Sequence, residues 1–205
     1  MVTIVDYGAG NIFSILNMFK KIGAAAIVAG DKATIAKATK LVLPGVGAFD
    51  TCASKLQESG LREVLDRKVL ESNTPVLGIC VGMQLMVERS EEGNLPGLDW
   101  IKGKTVKFGS EIIADGLKIP HMGWANVALN KPSLLFGDMY AEPRFYFAHS
   151  YYVLPEDDDD VVAYAMHGKK FATCIERKNI MGVQFHPEKS HKYGMRLLEN
   201  FVKNY

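Results

Sequence analysis

The chain has 205 residues, 48% hydrophobic and 23% charged, with a formal net charge of +1, which is typical of one globular domain. It has no basic stripe, signal-peptide pattern or apolar run of the ~20 residues that span a bilayer, so we expect neither a nucleic-acid nor a membrane partner. Its three cysteines have no CxxC spacing, which predicts no disulfide framework, no zinc site and a reducing, cytoplasmic location.

The first half of the chain alternates short apolar runs with helical patterns. A glycine turn at residues 8–10 precedes a helix that Asn11 can cap. Strands are predicted at residues 2–5, 25–28, 40–43 and 75–79, and helices at 11–22, 31–38, 49–57, 61–70 and 83–88. Such an alternation indicates a parallel sheet with helices on both faces.

The second half is rich in strands. They are predicted at residues 100–107, 124–129, 145–153, 161–166, 171–176 and 181–185, and a helix at 189–202 closes the chain. We expect an antiparallel or mixed extension that returns to the same sheet. The predicted fold is therefore α/β, with a mostly parallel central sheet flanked by helices and an antiparallel extension, in a single domain of residues 1–205.

The segment Gly78-Ile79-Cys80-Val81-Gly82 has the form of a nucleophile elbow, with cysteine in the serine position. The tight turn would strain the backbone of Cys80, and the two glycines would keep the neighbouring space clear. The N-terminus of the following helix favours a thiolate, and the Val81 N–H can bind an oxyanion. Alone, the pattern fits a buried structural cysteine equally well, which is the interpretation we prefer for Cys52 and Cys174.

A base for this thiol is predicted in His186-Pro187-Glu188, which follows a strand. Pro187 restricts the preceding residue to extended conformations, in which residues i and i+2 point the same way. Glu188 can therefore bind one ring nitrogen of His186 while the other faces Cys80, as in a catalytic triad. Alone the tripeptide is more simply a turn, but reactive groups gather at the carboxyl ends of strands in α/β sheets.

With these residues, the sequence resembles the class I (triad) glutamine amidotransferases, and among them the glutaminase subunits of imidazole glycerol phosphate synthases. The elbow and the His-Pro-Glu tripeptide are features of the whole class. The PGVG, HMGW and FYFxHSY patterns point to the synthase subunits. The matching segments cover nearly the whole chain: 6–11 (DYGAGN), 43–49 (LPGVGAF), 75–84 (PVLGICVGMQ), 120–124 (PHMGW), 145–151 (FYFAHSY) and 182–188 (GVQFHPE).

The resemblance implies hydrolysis of glutamine to glutamate and ammonia through a thioester on Cys80, with no metal or other cofactor. It implies that backbone N–H groups of Val46 or Gly47 complete the oxyanion hole with Val81. It also implies a set of substrate-binding residues: Gly45, Gln84, His149, Ser150 and Tyr151.

The resemblance further implies a heterodimer with a (β/α)8-barrel cyclase, the other subunit of imidazole glycerol phosphate synthase. That cyclase would receive the ammonia through an internal tunnel and convert PRFAR to imidazole glycerol phosphate and AICAR in histidine biosynthesis. Asn11, Met122 and Trp124 are the implied docking residues. One departure concerns this face, because Ala125 stands after Trp124 where the family pattern has asparagine.

Three alternatives stay open on the sequence alone. A paralogous glutaminase could supply ammonia to a surface-sugar amidation enzyme. A cysteine peptidase or γ-glutamyl hydrolase could use the same elbow, although Gln84 and the HSY segment argue against it. A non-catalytic binding subunit could keep the fold, although Cys80, His186 and Glu188 are all present.

Overall fold

A computed structural model describes residues 1–114 and 116–205, with residues 111 and 114 described by their backbone alone. The α-helices are α1 Ile12–Lys21, α2 Lys32–Ala36, α3 Phe49–Glu58, α4 Arg62–Asp66, α5 Val81–Gln84, α6 Glu111–Ala114 and α7 His191–Asn204. A π-helix at Arg67–Glu71 continues α4, and short 3-10 helices lie at Leu134–Phe136, Asp158–Asp160 and Pro187–Lys189. The strands are β1 Val2–Val5, β2 Ala26–Ala29, β3 Leu41–Gly45, β4 Val76–Cys80, β5 Arg89–Ser90, β6 Gly103–Lys107, β7 His121–Asn126, β8 Ala128–Leu129, β9 Arg144–His149, β10 Tyr151–Pro155, β11 Val161–His167, β12 Lys169–Arg177 and β13 Ile180–Val183.

The central sheet has the strand order β2-β1-β3-β4-β13-β12-β11-β8 within the described residues. The strands from β2 through β13 in this order are parallel, and β12, β11 and β8 add an antiparallel edge. Strands β1, β3, β4 and β13 are buried along their whole length. Sheets covered on both faces need such continuous apolar strands, so the predicted α/β fold class is confirmed.

The antiparallel extension does not all return to the central sheet, which corrects one expectation. Strands β10, β6 and β5 form a second sheet, and β7 and β9 form a third. The predicted strand at 145–153 is two strands that separate at Ser150 and pair in different sheets. The predicted strand at 124–129 likewise divides at Val127, whose N–H donates to the Pro143 carbonyl instead of a strand partner.

Helix boundaries give two smaller corrections. Asn11 lies at the N-cap of α1, but its side chain makes no capping hydrogen bond, whereas Asp31 caps α2 by accepting from the Thr34 N–H. The helix after the elbow begins at Val81, not at residue 83, and is a single turn. Among the described residues, none of the helices has the length and apolar character needed to cross a bilayer.

Candidate functional site

Cys80 ends the central strand β4 in a conformation that a side chain rarely adopts, with φ 56° and ψ −113°. The elbow tolerates it because the flanking glycines leave room. A Cβ on Gly78 would lie 2.8 Å from the Gly82 carbonyl oxygen, and one on Gly82 would collide with the Leu43 carbonyl oxygen. The predicted strain and the predicted role of the two glycines are therefore both confirmed.

The PGVG segment lies beside this elbow because β3 and β4 are parallel neighbours, with Gly45 opposite Cys80. A Cβ on Gly45 would lie 2.5 Å from the Gly82 nitrogen, so only glycine allows the two backbones to approach this closely. Two buried side chains hold the segment from behind. Tyr7 donates its hydroxyl to the Pro44 carbonyl at 2.6 Å, and the Cys52 thiol donates to the Val46 carbonyl at 3.4 Å.

The third segment of the site follows β13, which pairs with β4 on its other side. His186 has an extended backbone, and its Nδ1 lies 2.9 Å from Glu188 Oε1, so the predicted contact is present. The His186 N–H donates to the Tyr146 carbonyl, and its own carbonyl accepts from the Ser190 hydroxyl at 2.6 Å. These backbone bonds fix the position of the imidazole.

His186 and Cys80 line the same cavity, and the sulfur contributes to the electrostatics of the His186 ring. Burial lowers the pKa of this histidine, but hydrogen bonds to Cys80 and Glu188 and their negative charges outweigh burial and raise the pKa to about 10. The Glu188 side chain is almost completely buried, so its charge is poorly screened by water. The arrangement therefore favours an imidazolium between a carboxylate and a sulfur.

A cavity of about 320 Å³ opens beside Cys80. Most of the sequence-predicted site residues line it: Val46, Gly47, Cys80, Val81, Gln84, His149, Ser150, Tyr151 and His186, together with Met122 of the predicted docking face. Gly45 and Glu188 contact residues of the cavity lining: Gly45 packs against the elbow, and Glu188 binds the ring of His186. Among the described residues, no group of three or more His, Cys, Asp or Glu side chains is placed to hold a metal ion.

Two of the implied substrate-binding side chains are held by the same carbonyl. Gln84 Nε2 donates to the Tyr151 carbonyl at 3.1 Å, and His149 Nδ1 lies 2.8 Å from it. His149 Nε2 lies 3.2 Å from Nδ1 of His121. Both ring nitrogens of His149 are therefore engaged within the protein, and its ring fixes the backbone of the HSY segment.

These two histidines are neutral near pH 7. Burial lowers the pKa of His149 to about 3, and burial together with the charge of His167 lowers the pKa of His121 to about 4. A carbonyl can only accept, so Nδ1 of His149 carries its proton and Nε2 accepts from His121.

Several residues of the site were missed by the sequence analysis. The cavity is also lined by Glu92 and Lys189, which bring opposite charges to it. Glu92 Oε2 accepts from the Phe49 N–H at 2.9 Å, at the start of α3. The buried Gln184 lies with its Nε2 3.7 Å from Cys80 Sγ. Only its place in the GVQFHPE segment could have drawn attention to Gln184, and no local pattern marks Glu92.

Of the three implied docking residues, Met122 lines this cavity. Met122 is 65% exposed and Trp124 is 43% exposed, two residues apart on β7 and hence on one face of it. Asn11 is half-buried and precedes α1, which packs against residues 187–189. The indole of Trp124 stacks on His191 with ring centroids 5.5 Å apart, and its exposure shows that it is not a core residue.

Comparison with known proteins agrees with this geometry. Residues 3–205 match the family model described as glutamine amidotransferase class-I. The chain therefore belongs to the class-I glutamine amidotransferase family.

Curated relatives narrow the similarity within that family. The chain is 49% identical to imidazole glycerol phosphate synthase subunit HisH 2 of Methanococcus maripaludis, covering 99% of each chain. It is 46% identical to subunit HisH 2 of Pseudomonas aeruginosa, again over 99% of each, and 45% identical to subunit HisH of Bdellovibrio bacteriovorus, over 98% of each. These full-length similarities place the chain with the HisH subunits.

Solved structures show the same fold at low identity. A glutamine amidotransferase crystal structure superposes with a TM-score of 0.76 at 17% identity, covering 99% of this chain and 98% of the other. A chain of the PurLQS structure from Thermotoga maritima gives a TM-score of 0.69 at 17% identity, covering 98% and 96%.

Proposed function

We propose that this protein is the glutaminase subunit of imidazole glycerol phosphate synthase and that Cys80, His186 and Glu188 are its catalytic triad. The observation that carries the proposal is the meeting of a strained elbow cysteine, a buried histidine and a buried carboxylate at the ends of adjacent strands. The full-length similarity to HisH subunits supports the choice of reaction. Residues 1–205 would form a single glutamine amidotransferase domain, since one apolar core runs from Val2 to Phe201.

The proposed reaction is acyl transfer in two steps. The Cys80 thiolate attacks the side-chain amide carbon of glutamine, and His186 gives a proton to the departing ammonia, which leaves a γ-glutamyl thioester on Cys80. Water, deprotonated by His186, then attacks the thioester and releases glutamate. Glu188 orients the imidazole and stabilises its charged form in both steps. Because α5 is one turn, its dipole is weak, so His186 is the main stabiliser of the thiolate.

Two backbone N–H groups would hold the oxyanion that forms in each step. One belongs to Val81 and the other to Val46 or Gly47, whose segments line the same cavity. A missing donor costs about 3 kcal/mol in the barrier. The PGVG segment can therefore act as a switch: the exposed Val46, together with Gly47 at φ 96°, would let a partner reorient one of these peptides.

The charges in the cavity suit a free amino acid. We propose that Glu92 attracts the α-ammonium group of glutamine and Lys189 its α-carboxylate. Gln84, Gly45 and the backbone of Ser150 and Tyr151 would fix the side chain, with His149 acting through the carbonyl that it holds. These two opposite charges in the cavity lining would discriminate against peptide-bound glutamine, which lacks both charges.

The partner would be a (β/α)8-barrel cyclase that takes ammonia and converts PRFAR to imidazole glycerol phosphate and AICAR. The relatives' names specify a subunit of that synthase. We propose that the cyclase docks over Asn11, Met122 and Trp124, since Met122 and Trp124 are exposed on one face of β7 and Met122 also lines the cavity. A biosynthetic complex of this kind would work in the cytoplasm.

The direct test is ammonia release from glutamine, measured with the purified chain alone and with the cyclase and its ligand. We expect slow turnover alone and a strong rise with the partner, because the oxyanion hole would be completed on docking. Cys80→Ala should abolish turnover, whereas Cys174→Ala, at a buried cysteine of β12, should keep it. Equal turnover with and without the cyclase would contradict the proposed switch in the PGVG segment. Turnover by Cys80→Ala would contradict the proposed catalytic triad. Stimulation by a sugar-amidation enzyme, in place of the cyclase, would assign the ammonia to another acceptor.

A further inference from the structure

The buried amide of Gln184 is the feature that the proposed mechanism leaves unused. This side chain is completely buried and directly follows β13, the neighbour of β4. Its Nε2 lies 3.7 Å from Cys80 Sγ, and its Oε1 lies 3.1 Å from Gln84 Nε2. A buried amide is costly unless its polar atoms are bonded, and both polar atoms of Gln184 have their partners inside this site.

The direction of these hydrogen bonds is set by the Tyr151 carbonyl. A carbonyl can only accept, so the atom of Gln84 that lies 3.1 Å from it must be the amide nitrogen. That same nitrogen gives its second N–H to Gln184, so the atom of Gln184 facing it must be the oxygen. The remaining atom of Gln184, its nitrogen, then faces Cys80 as a donor.

We propose that Gln184 is a positioning residue for Cys80. The Gln184 amide donates an N–H to the sulfur, and Gln184 also holds the Gln84 side chain so that Oε1 of Gln84 faces the substrate. The inference rests on the proposed glutaminase function and deepens it. A donor on the sulfur stabilises the thiolate over the thiol. Because both N–H groups of Gln84 are used within the protein, its free oxygen can bind only a donor, such as an N–H of glutamine.

Other groups around the sulfur must be considered in a pH experiment. His186 lines the same cavity and interacts with it electrostatically, with Glu188 behind, and Tyr7 and Cys52 are its buried neighbours on the side of β3 and α3. Burial raises the pKa of both Tyr7 and Cys52, so they stay neutral near pH 7. The open cavity adds the charges of Glu92 and Lys189, and a change at Gln184 leaves all of these side chains in place.

The test is the pH dependence of Cys80 alkylation by iodoacetamide in the full chain, followed on the Cys80 peptide by mass spectrometry. Gln184→Met keeps the size of the side chain and removes the donor. Gln184→Glu keeps the acceptor for Gln84 and removes the donor, and it serves as the second variant if the first does not fold. Asn200→Leu is the matched control, because Asn200 is a buried amide that donates to Leu135 and Gly137 carbonyls on another side of the protein.

A hydrogen bond to a charged group is worth enough to move a titration by about one pH unit or more. We therefore expect the midpoint of the alkylation profile to rise by about one unit in Gln184→Met, and further in Gln184→Glu, where a carboxylate faces the sulfur. The control should keep the wild-type midpoint even if its Tm falls.

An unchanged midpoint in both Gln184 variants would overturn the proposal, as would an equal shift in the Asn200 control. Alkylation needs no glutamine turnover. A wild-type chain that fails to hydrolyse glutamine would therefore refute the proposed function, while the midpoints would still decide the role of Gln184.

Discussion

Replacing Glu188 with glutamine removes one charge from the centre of the site while keeping the shape of the side chain. In the wild-type protein, Glu188 Oε1 lies 2.9 Å from His186 Nδ1, and both side chains are almost completely buried. The other oxygen, Oε2, is buried and has no hydrogen-bond partner among the described residues. The charge of the carboxylate is therefore directed mainly at the imidazole.

The size of the effect follows from that one bond. A hydrogen bond to a charged group is worth about 1.5–3 kcal/mol, and a neutral one about 1 kcal/mol. In the proposed mechanism His186 is an imidazolium when ammonia leaves, and Glu188→Gln keeps only a neutral acceptor for it at that point. The difference of about 0.5–2 kcal/mol corresponds to a roughly twofold to thirtyfold fall in kcat.

The assay is steady-state ammonia release at saturating glutamine with the cyclase present. Glu176→Gln is a suitable control, since Glu176 accepts from the hydroxyls of Ser133 and Tyr205 on another part of the sheet. We expect kcat to fall only in Glu188→Gln, with little change in KM. If both variants lose activity equally, or Glu188→Gln keeps wild-type kcat, the assignment of Glu188 as the orienting acid is wrong.

Three further predictions concern stability and docking. Gly82→Ala should lower the free energy of unfolding, measured in urea, by about 3 kcal/mol, because the new Cβ collides with the Leu43 carbonyl. Gly23→Ala is the control: Gly23 lies at φ 72° in open space, so the change should cost only about 1 kcal/mol of backbone strain. Equal losses in the two variants would contradict this prediction. The pKa of His186 is raised from 6.5 to about 10, so its contribution to stability is complete below pH 6.5 and is lost as the pH rises through about 10. Denaturation across that window should show this loss in the wild type but not in His186→Gln. Trp124→Ala should abolish binding to the cyclase at an unchanged Tm, and a variant that binds normally would exclude this tryptophan from the docking face.

Local features of the site were predictable from the sequence because each is determined by a few adjacent residues. The glycines around Cys80 allow its turn, and Pro187 holds His186 where Glu188 can reach it. The alternating apolar runs of the first half likewise specify parallel strands, whose carboxyl ends share one edge. These elements needed no knowledge of distant contacts.

Features that depend on the order of strands were not predictable in this way. The contact between Gln184 and Cys80 joins residues 104 positions apart and exists because β13 pairs with β4. The division of residues 145–153 at Ser150 depends on which sheet offers a partner to each half. Glu92 reaches the cavity from a loop. Asp50 holds this loop by accepting the N–H groups of Asn94 and Leu95, and no sequence periodicity predicts these long-range hydrogen bonds.

In the proposed mechanism, Cys80 forms a covalent intermediate with the side chain of glutamine. Acid quenching during turnover, followed by mass spectrometry of peptides, measures this directly. We predict a γ-glutamyl group on the peptide that contains Cys80, lost on further incubation and absent in Cys80→Ala. Continued turnover with no adduct on Cys80, or an adduct on Cys52 or Cys174, would exclude Cys80 as the nucleophile.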